Sequence, residues 1–263
     1  MRLKNILNTI ACAFIITCST ANAGEIFKQS GMRTTAILEL YTSEGCSSCP
    51  QAEKYLKQLN KQHITKKSYI PLAFHVDYWD YMGWEDPYSS PKHGDRQRDI
   101  TIRNKQKSIY TPQFVLYGRD FPAHENIPKA IDIINNIKPR ANIELKAKLE
   151  NNKLLEAIVS IDSDDEKVKW GANIYIAIAE DHLSSSISDG ENKGLSLKHN
   201  NVVRKLIGPI KMEGKQNIKI SQKITLDKQW KLSNLTLVIF AEDSLNGTTH
   251  QSLQLALKEL QEK

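Results

Sequence analysis

Along the first half of the chain, apolar positions alternate with polar ones, shift to helical spacing, and then alternate again. Residues 34–41 (TTAILELY) read as a strand, with Ile37, Glu39 and Tyr41 on one face and Leu38 and Leu40 on the other. Residues 42–45 turn the chain. From Cys49 onward Ala52, Tyr55, Leu56 and Leu59 recur at helical spacing, and Pro50 is tolerated in a first helical turn. Residues 69–76 (YIPLAFHV) read as a second, buried strand, so the three segments predict a parallel β-α-β unit, right-handed by rule. A long aromatic and acidic loop, DYWDYMGWEDPYSSPKHGD, comes next. It leads to a polar helical stretch over 96–107, a third strand over 114–117, a turn at Arg119-Asp120 and an amphipathic helix over 127–137.

That order is the order of a thioredoxin-like domain. Past Pro139 the rhythm changes. Strand-like runs over 143–149, 154–161, 173–179, 197–206, 218–226 and 235–241 are separated by turn-like stretches such as ENNK, DSDDE and SDGENKG. Such spacing predicts an antiparallel β-sandwich of six or seven strands. The tail over 251–260 fits an edge strand or a helix equally. The expected architecture is therefore an α/β thioredoxin-like domain over 24–139, followed by an all-β sandwich-like domain over 140–263. No internal repeat interrupts either.

Residues 1–23 carry a different pattern. Arg2 and Lys4 form a basic start, residues 6–16 are mostly apolar, and Ala21-Asn22-Ala23 supplies small residues for cleavage. This is the pattern of a secretory signal peptide, too short for a membrane span of about 20 residues. The expected mature chain is periplasmic or secreted and has no membrane span. Without Arg2 and Lys4 the formal charge falls from +6 to +4. Lysines are interspersed with acids and no arginine-aromatic stripe occurs, which argues against nucleic acid as a partner.

Cys12 and Cys18 leave with the leader, so Cys46 and Cys49 are the only thiols of the mature chain. In an oxidising compartment they can pair only with each other. As a staple the pair is poor, since closing four residues contributes roughly 2 kcal/mol against roughly 3 for fifteen. Chemistry explains it better. In Cys46-Ser47-Ser48-Cys49 the first cysteine lies at a strand-to-helix junction, where unsatisfied N–H groups and positive potential favour a thiolate. Cys49, three residues on, faces the same way and can resolve a mixed disulfide. Gly45 adds backbone freedom, whereas the carboxylate of Glu44 opposes the thiolate.

Other residues join the pair as candidates. Pro112, after Thr111, matches the loop proline that packs beside the cysteines in thioredoxin-like folds and presents its neighbour's backbone to substrate. Glu39, if buried near the cysteines, would have a raised pKa and could take the Cys49 proton. Tyr78, Trp79 and Trp84, in the loop after the second strand, are expected to form an apolar wall or lid for substrate. His75, Asp77, Asp80, Glu85 and Asp86 are metal-ligand types, but their spacing fits no specific pattern. Two cysteines with His75 leave a structural zinc one ligand short, so no metal or cofactor is assigned. Motifs for hydrolase, zincin and dinucleotide chemistry are missing.

Several segments together resemble one bacterial family: LELYTSEGCSSCPQAE, LAFHVDYWDYMGWEDPYSS, RQR at 96–98, YTPQFVLYG and, further on, KHNNVVRKL. The chain resembles secreted thioredoxin-like proteins of the DUF1223 family, whose function is unknown. The resemblance implies a thioredoxin-like fold with Cys46, Cys49 and Pro112 in their motif positions, and implies no substrate. Gln51 and Glu53 stand where the family often has a second proline and an aspartate. Compared with ordinary thioredoxin, the chain lacks the tryptophan before the first cysteine and adds the aromatic loop. The resulting expectation is a thiol–disulfide oxidoreductase acting on protein or peptide thiols with a redox partner still to be identified. The alternative is a redox-inert or copper- or zinc-carrying binding module.

Overall fold

The computed structural model describes residues 24–63 and 69–261; the leader expected over 1–23 lies outside them. The first half contains β1 (Glu25–Gln29), β2 (Ala36–Thr42), α1 (Cys49–His63), β3 (Tyr69–His75), α2 (Pro91–Arg103), β4 (Gln113–Leu116), β5 (Arg119–Asp120) and α3 (Ile127–Ile134). The second half adds β6 (Asn142–Glu150), β7 (Leu154–Asp162), α4 (Glu166–Gly171), β8 (Ala172–Glu180) and β9 (Leu183–Ser186). It continues with β10 (Ser196–His199), β11 (Val202–Lys211), β12 (Asn217–Thr225), β13 (Leu235–Asp243) and β14 (Thr249–Ala256). The protein is mostly β-sheet, an α/β arrangement built on one large mixed sheet.

That sheet has eight strands in the order β14-β13-β8-β11-β3-β2-β4-β5. β2 is its most enclosed strand, with all seven residues buried, as expected of a nearly continuous apolar run covered on both faces. It pairs parallel with β3 and antiparallel with β4. On one face Leu38 and Leu40 meet Leu56 and Leu59 of α1 and Ile127 and Ile131 of α3. On the other, Ile37 and Tyr41 join Phe74, Tyr175, Phe240 and Ile100 of α2.

A second sheet, ordered β1-β6-β7-β12, packs on the part of the large sheet formed by β8, β13 and β14. Strict alternation makes this possible: every second residue of β7 is buried, and Leu155, Ala157, Val159 and Ile161 face Ile174, Ile176, Leu237 and Ile239.

Four findings change the expected layout. The halves divided at 139/140 are not separate in their sheets, because β1 pairs with β6 and β11 pairs parallel with β3 at Val202 and Ala73. The run over 197–206 is two strands, broken at Asn200-Asn201, where Asn201 takes a φ of +58°. Arg119-Asp120, expected as a turn, is a strand that returns against β4 through Tyr117-Gly118. Within DSDDE, Asp165 caps α4 by accepting from the Lys167 N–H at 2.8 Å, so a turn-like string starts a helix. The β4–β5 and β13–β14 turns also meet, where Gly118 touches the Gly247 backbone. A Cβ on Gly118 would lie 2.3 Å from the Gly247 carbonyl carbon, and φ is +73°, so only glycine fits there. Among the described residues no helix is long and apolar enough to cross a membrane.

Candidate functional site

Thr42 ends β2, and residues 43–48 turn the chain into α1. Cys46 N–H donates to Ser43 O and Cys49 N–H to Cys46 O, both at 3.2 Å, so the loop tightens directly into the helix. Cys46 and Cys49 are joined by a disulfide, with Cα atoms 5.4 Å apart. Gly45 is needed for close approach, since a Cβ there would lie 3.1 Å from the Trp79 Cβ. β4 runs beside β2 with Gln113 opposite Tyr41, which brings Thr111 and Pro112 to the cysteine end of the sheet. The Thr111–Pro112 peptide is cis. Trp79 Nε1 donates to Thr111 Oγ1 at 2.8 Å and so ties the loop after β3 to that proline turn.

Both cysteines are buried, Cys46 at 1% and Cys49 at 0% exposure. Part of the cover comes from the second half of the chain. Asn192 Nδ2 donates to Glu44 O at 2.7 Å and to Cys46 O at 3.0 Å. Ser47 N–H donates to Glu191 Oε2 at 3.0 Å. Hydrogen bonds from Ile187 N–H to Leu195 O and from Gly194 N–H to Ile187 O close this segment into a strap over the cysteine loop.

Beneath the loop lies a buried cluster of charge. His199, at the end of β10, bridges two carboxylates, with Nε2 2.8 Å from Glu44 Oε1 and Nδ1 2.5 Å from Glu53 Oε2. Burial alone would push its pKa down, but the hydrogen bonds and charges of Glu44 and Glu53 outweigh this and raise it to about 10. Burial likewise pushes the Glu53 carboxyl up, and the contact with His199 brings it below its usual range. Thr42 Oγ1 and Trp84 Nε1 donate to Glu53 and Glu44, each at 2.8 Å. Asp86 lies 2.6 Å from His75 Nδ1 and accepts the Glu44 N–H at 2.8 Å. Burial raises its carboxyl as well, and the charge and hydrogen bond of His75 win, leaving it lowered. The His75 and His199 rings meet edge to face at 4.9 Å.

Of the residues expected from sequence, Cys46, Cys49, Thr111, Pro112, Trp79 and Trp84 converge here. Tyr78 turns to α2 and donates to Gln97 Oε1 at 3.0 Å. The loop aromatics are thus tied inward. An open groove of about 540 Å³ beside Ser48 and Pro112 is lined instead by Tyr55, Tyr110, Phe114 and Phe121. Glu39 lies apart from this group. It belongs to the β2 face that carries Tyr41, opposite the Leu38 and Leu40 face that packs on α1. There it accepts from Arg96 at 2.7 and 2.9 Å and from the Tyr41 hydroxyl at 2.6 Å. It is an ion-pair partner of Arg96 on α2.

Sequence reasoning missed Glu53, His199, Glu191 and Asn192. Glu53 carried a usable signal, since it falls one helical turn after Cys49 on the same side of α1. His75 in an otherwise apolar strand was another, because a buried imidazole needs partners.

No curated protein matches the chain. Two solved structures share its fold. One is protein AGR_C_4864 from Agrobacterium tumefaciens, with a TM-score of 0.58 at 18% identity over 86% of this chain and 96% of that one. The other is HBP35 of Porphyromonas gingivalis, with a TM-score of 0.65 at 13% identity over 88% of this chain and 77% of that one. A model for proteins of unknown function, DUF1223, matches residues 37–242, most of the chain, and the protein therefore belongs to that family.

Proposed function

We propose that this is a thiol–disulfide oxidoreductase-like protein acting on protein or peptide thiols through Cys46 and Cys49. One observation carries the reading: the chain's disulfide closes over the first turn of α1, beside the Thr111-Pro112 turn and a groove of about 540 Å³ lined by both aromatic and polar side chains. A structural staple has no use for a groove at its edge, whereas exchange needs a place to hold the partner chain. We take the β2-α1-β3 unit with β4, β5 and α3 as a thioredoxin-like module and the facing β-sheets of the second half as a sandwich-like one. The leader makes the periplasm or the exterior the working compartment, where a dithiol couple can cycle.

The exchange runs in two balanced steps. A substrate thiolate attacks Cys46 Sγ, the Cys46–Cys49 bond breaks, and its electron pair leaves on Cys49, which takes up a proton. A second substrate thiolate then attacks the substrate sulfur of the mixed disulfide, and Cys46 departs as thiolate. The substrate gains a disulfide, and two electrons pass to the cysteine pair. The reverse sequence reduces a substrate disulfide, and the redox partner that resets the pair decides which direction runs. Because both sulfurs are buried, attack requires the strap bearing Glu191 and Asn192 to lift.

The roles are testable by trapping in cells. Cys49→Ser leaves Cys46 free to form mixed disulfides that cannot be resolved, so partners accumulate on this variant and not on Cys46→Ser. Equal trapping by both, or trapping by neither, overturns the assignment.

A further inference from the structure

Glu53, His75 and His199 come from three separated stretches of chain, yet one donor atom of each lies within 4.8 Å of the others. We infer that these three residues bind a single divalent first-row transition cation, zinc being the first candidate, beside the cysteine pair and without using its sulfurs. The donor set is two imidazoles and one carboxylate, the kind that suits zinc and its neighbours rather than calcium or magnesium.

Four features of the site support it. His75 is fully buried and its Nε2 has no partner, an expense a folded protein seldom accepts without cause. Its other nitrogen faces Asp86 at 2.6 Å, the carboxylate–imidazole arrangement that orients a metal-binding histidine. His199 repeats the arrangement: with Nδ1 turned to Glu53 and the cation, Nε2–H donates to Glu44 at 2.8 Å. Thr42 fixes the second oxygen of Glu53. Charge points the same way. Glu44, Glu53 and Asp86 face only two imidazoles, so the cluster stays negative even with both rings protonated. No lysine or arginine pairs with any of the three among the described residues.

Geometry and access are compatible with an ion. Zinc with bonds of about 2.1 Å spans donors up to about 4 Å apart, so closing on it takes shifts on the order of 1 Å. A cavity of about 260 Å³ between α1 and β10 reaches both Glu53 and His199, which gives an entry path and room for a water as fourth ligand. Lys54, Lys57 and Lys198 rim it, so cation entry should speed up as salt screens them.

The test uses the oxidised full-length protein after chelator treatment, titrated with zinc sulfate and, separately, with cobalt chloride. One zinc per chain is expected, and in the separate titration one cobalt, whose visible absorption shows nitrogen and oxygen ligation without a sulfur charge-transfer band and is lost when zinc displaces it. Asp86→Asn should weaken zinc binding about 10- to 100-fold. Glu53→Gln and His75→Ala should abolish the stoichiometric site, while a Cys46→Ser/Cys49→Ser double variant keeps it. Absence of stoichiometric uptake by the wild-type protein overturns the site, as does uptake that appears only after reduction and vanishes with the cysteines. These readouts on the wild type and the cysteine double variant decide the matter even if the cluster variants fail to fold. They do not depend on whether Cys46 and Cys49 exchange with substrates.

Discussion

Two buried charged centres flank the central strand region, and they are built on different terms. On the α2 side, Arg96 lies between Glu39 and Glu242, and Arg103 also pairs with Glu242 at 2.9 Å. The Arg96 guanidinium stacks over Tyr175 at 4.6 Å and Phe240 at 5.2 Å. Two carboxylates thus meet two guanidiniums, with aromatic faces closing the remaining space. On the cysteine side, three carboxylates meet two histidines, one ring nitrogen has no partner, and a cavity opens onto the cluster. A charge network that closes on itself ties two strands of one sheet face to the helix packed on it. One left open, next to a disulfide, is suited to binding and proton movement. The difference separates the two centres more clearly than burial does, because both are largely buried.

The comparison can be broken most forcefully at Arg96. Arg96→Met should cost about 3–5 kcal/mol in denaturant unfolding, since two buried carboxylates lose their main partner. Replacing the triad by apolar residues, Glu39→Leu with Arg96→Met and Glu242→Leu, should restore most of that loss if the network only holds the fold together. Cysteine exchange in Glu39→Gln should keep the wild-type pH profile, and a shifted profile would reinstate Glu39 as a proton carrier.

At His199 the expected loss is smaller and depends on pH. Its folded pKa is raised, to about 10, above an unfolded value near 6.5, so its stabilisation is complete below about pH 6.5. It declines as pH rises toward 10. In chelator-treated protein, His199→Gln should lie roughly 2–4 kcal/mol below wild type at pH 6, with the gap closing by pH 10. A gap that is constant over this range would mean that the ring is not protonated between Glu44 and Glu53.

Trp84→Phe removes the indole donor to Glu44 and should cost about 1–3 kcal/mol, the range for stranding a buried acceptor. Asn192→Ala should have the smallest effect on stability, about 1–2 kcal/mol, but a visible kinetic one. With the strap released from Glu44 and Cys46, reduction of the disulfide by dithiothreitol should accelerate about tenfold. An unchanged rate would show that the strap does not control access.

The strand–helix–strand order around the cysteines was legible because period and turn chemistry are local. Residues 34–41 and 69–76 gave their faces and Cys49 its helix without reference to anything distant. What stayed hidden depends on long-range pairing. β9 reads LSSS, too polar to announce a strand, and it forms only because β10 pairs with it. β1 likewise forms only against a distant partner, β6 lying more than a hundred residues on. Glu39 was placed on the correct face of its strand, but nothing local says that α1 covers the opposite one. His199 stood in plain view within KHNNVVRKL, and only the pairing of β10 with β9 and of β11 with β3 and β8 delivers it to Glu53. The cysteines and Pro112 were legible as a motif. The strap that covers them, and the cluster beneath, belong to the tertiary fold.

The central claim is that Cys46 and Cys49 are a working redox couple, and its most direct measurement is the reduction potential. Full-length protein equilibrated in graded glutathione buffers, acid-quenched and alkylated, gives the fraction of the disulfide reduced at each poise. A potential between about −120 and −270 mV, the span of known dithiol catalysts, is the predicted result. A value below about −300 mV, where structural disulfides lie, would contradict the account.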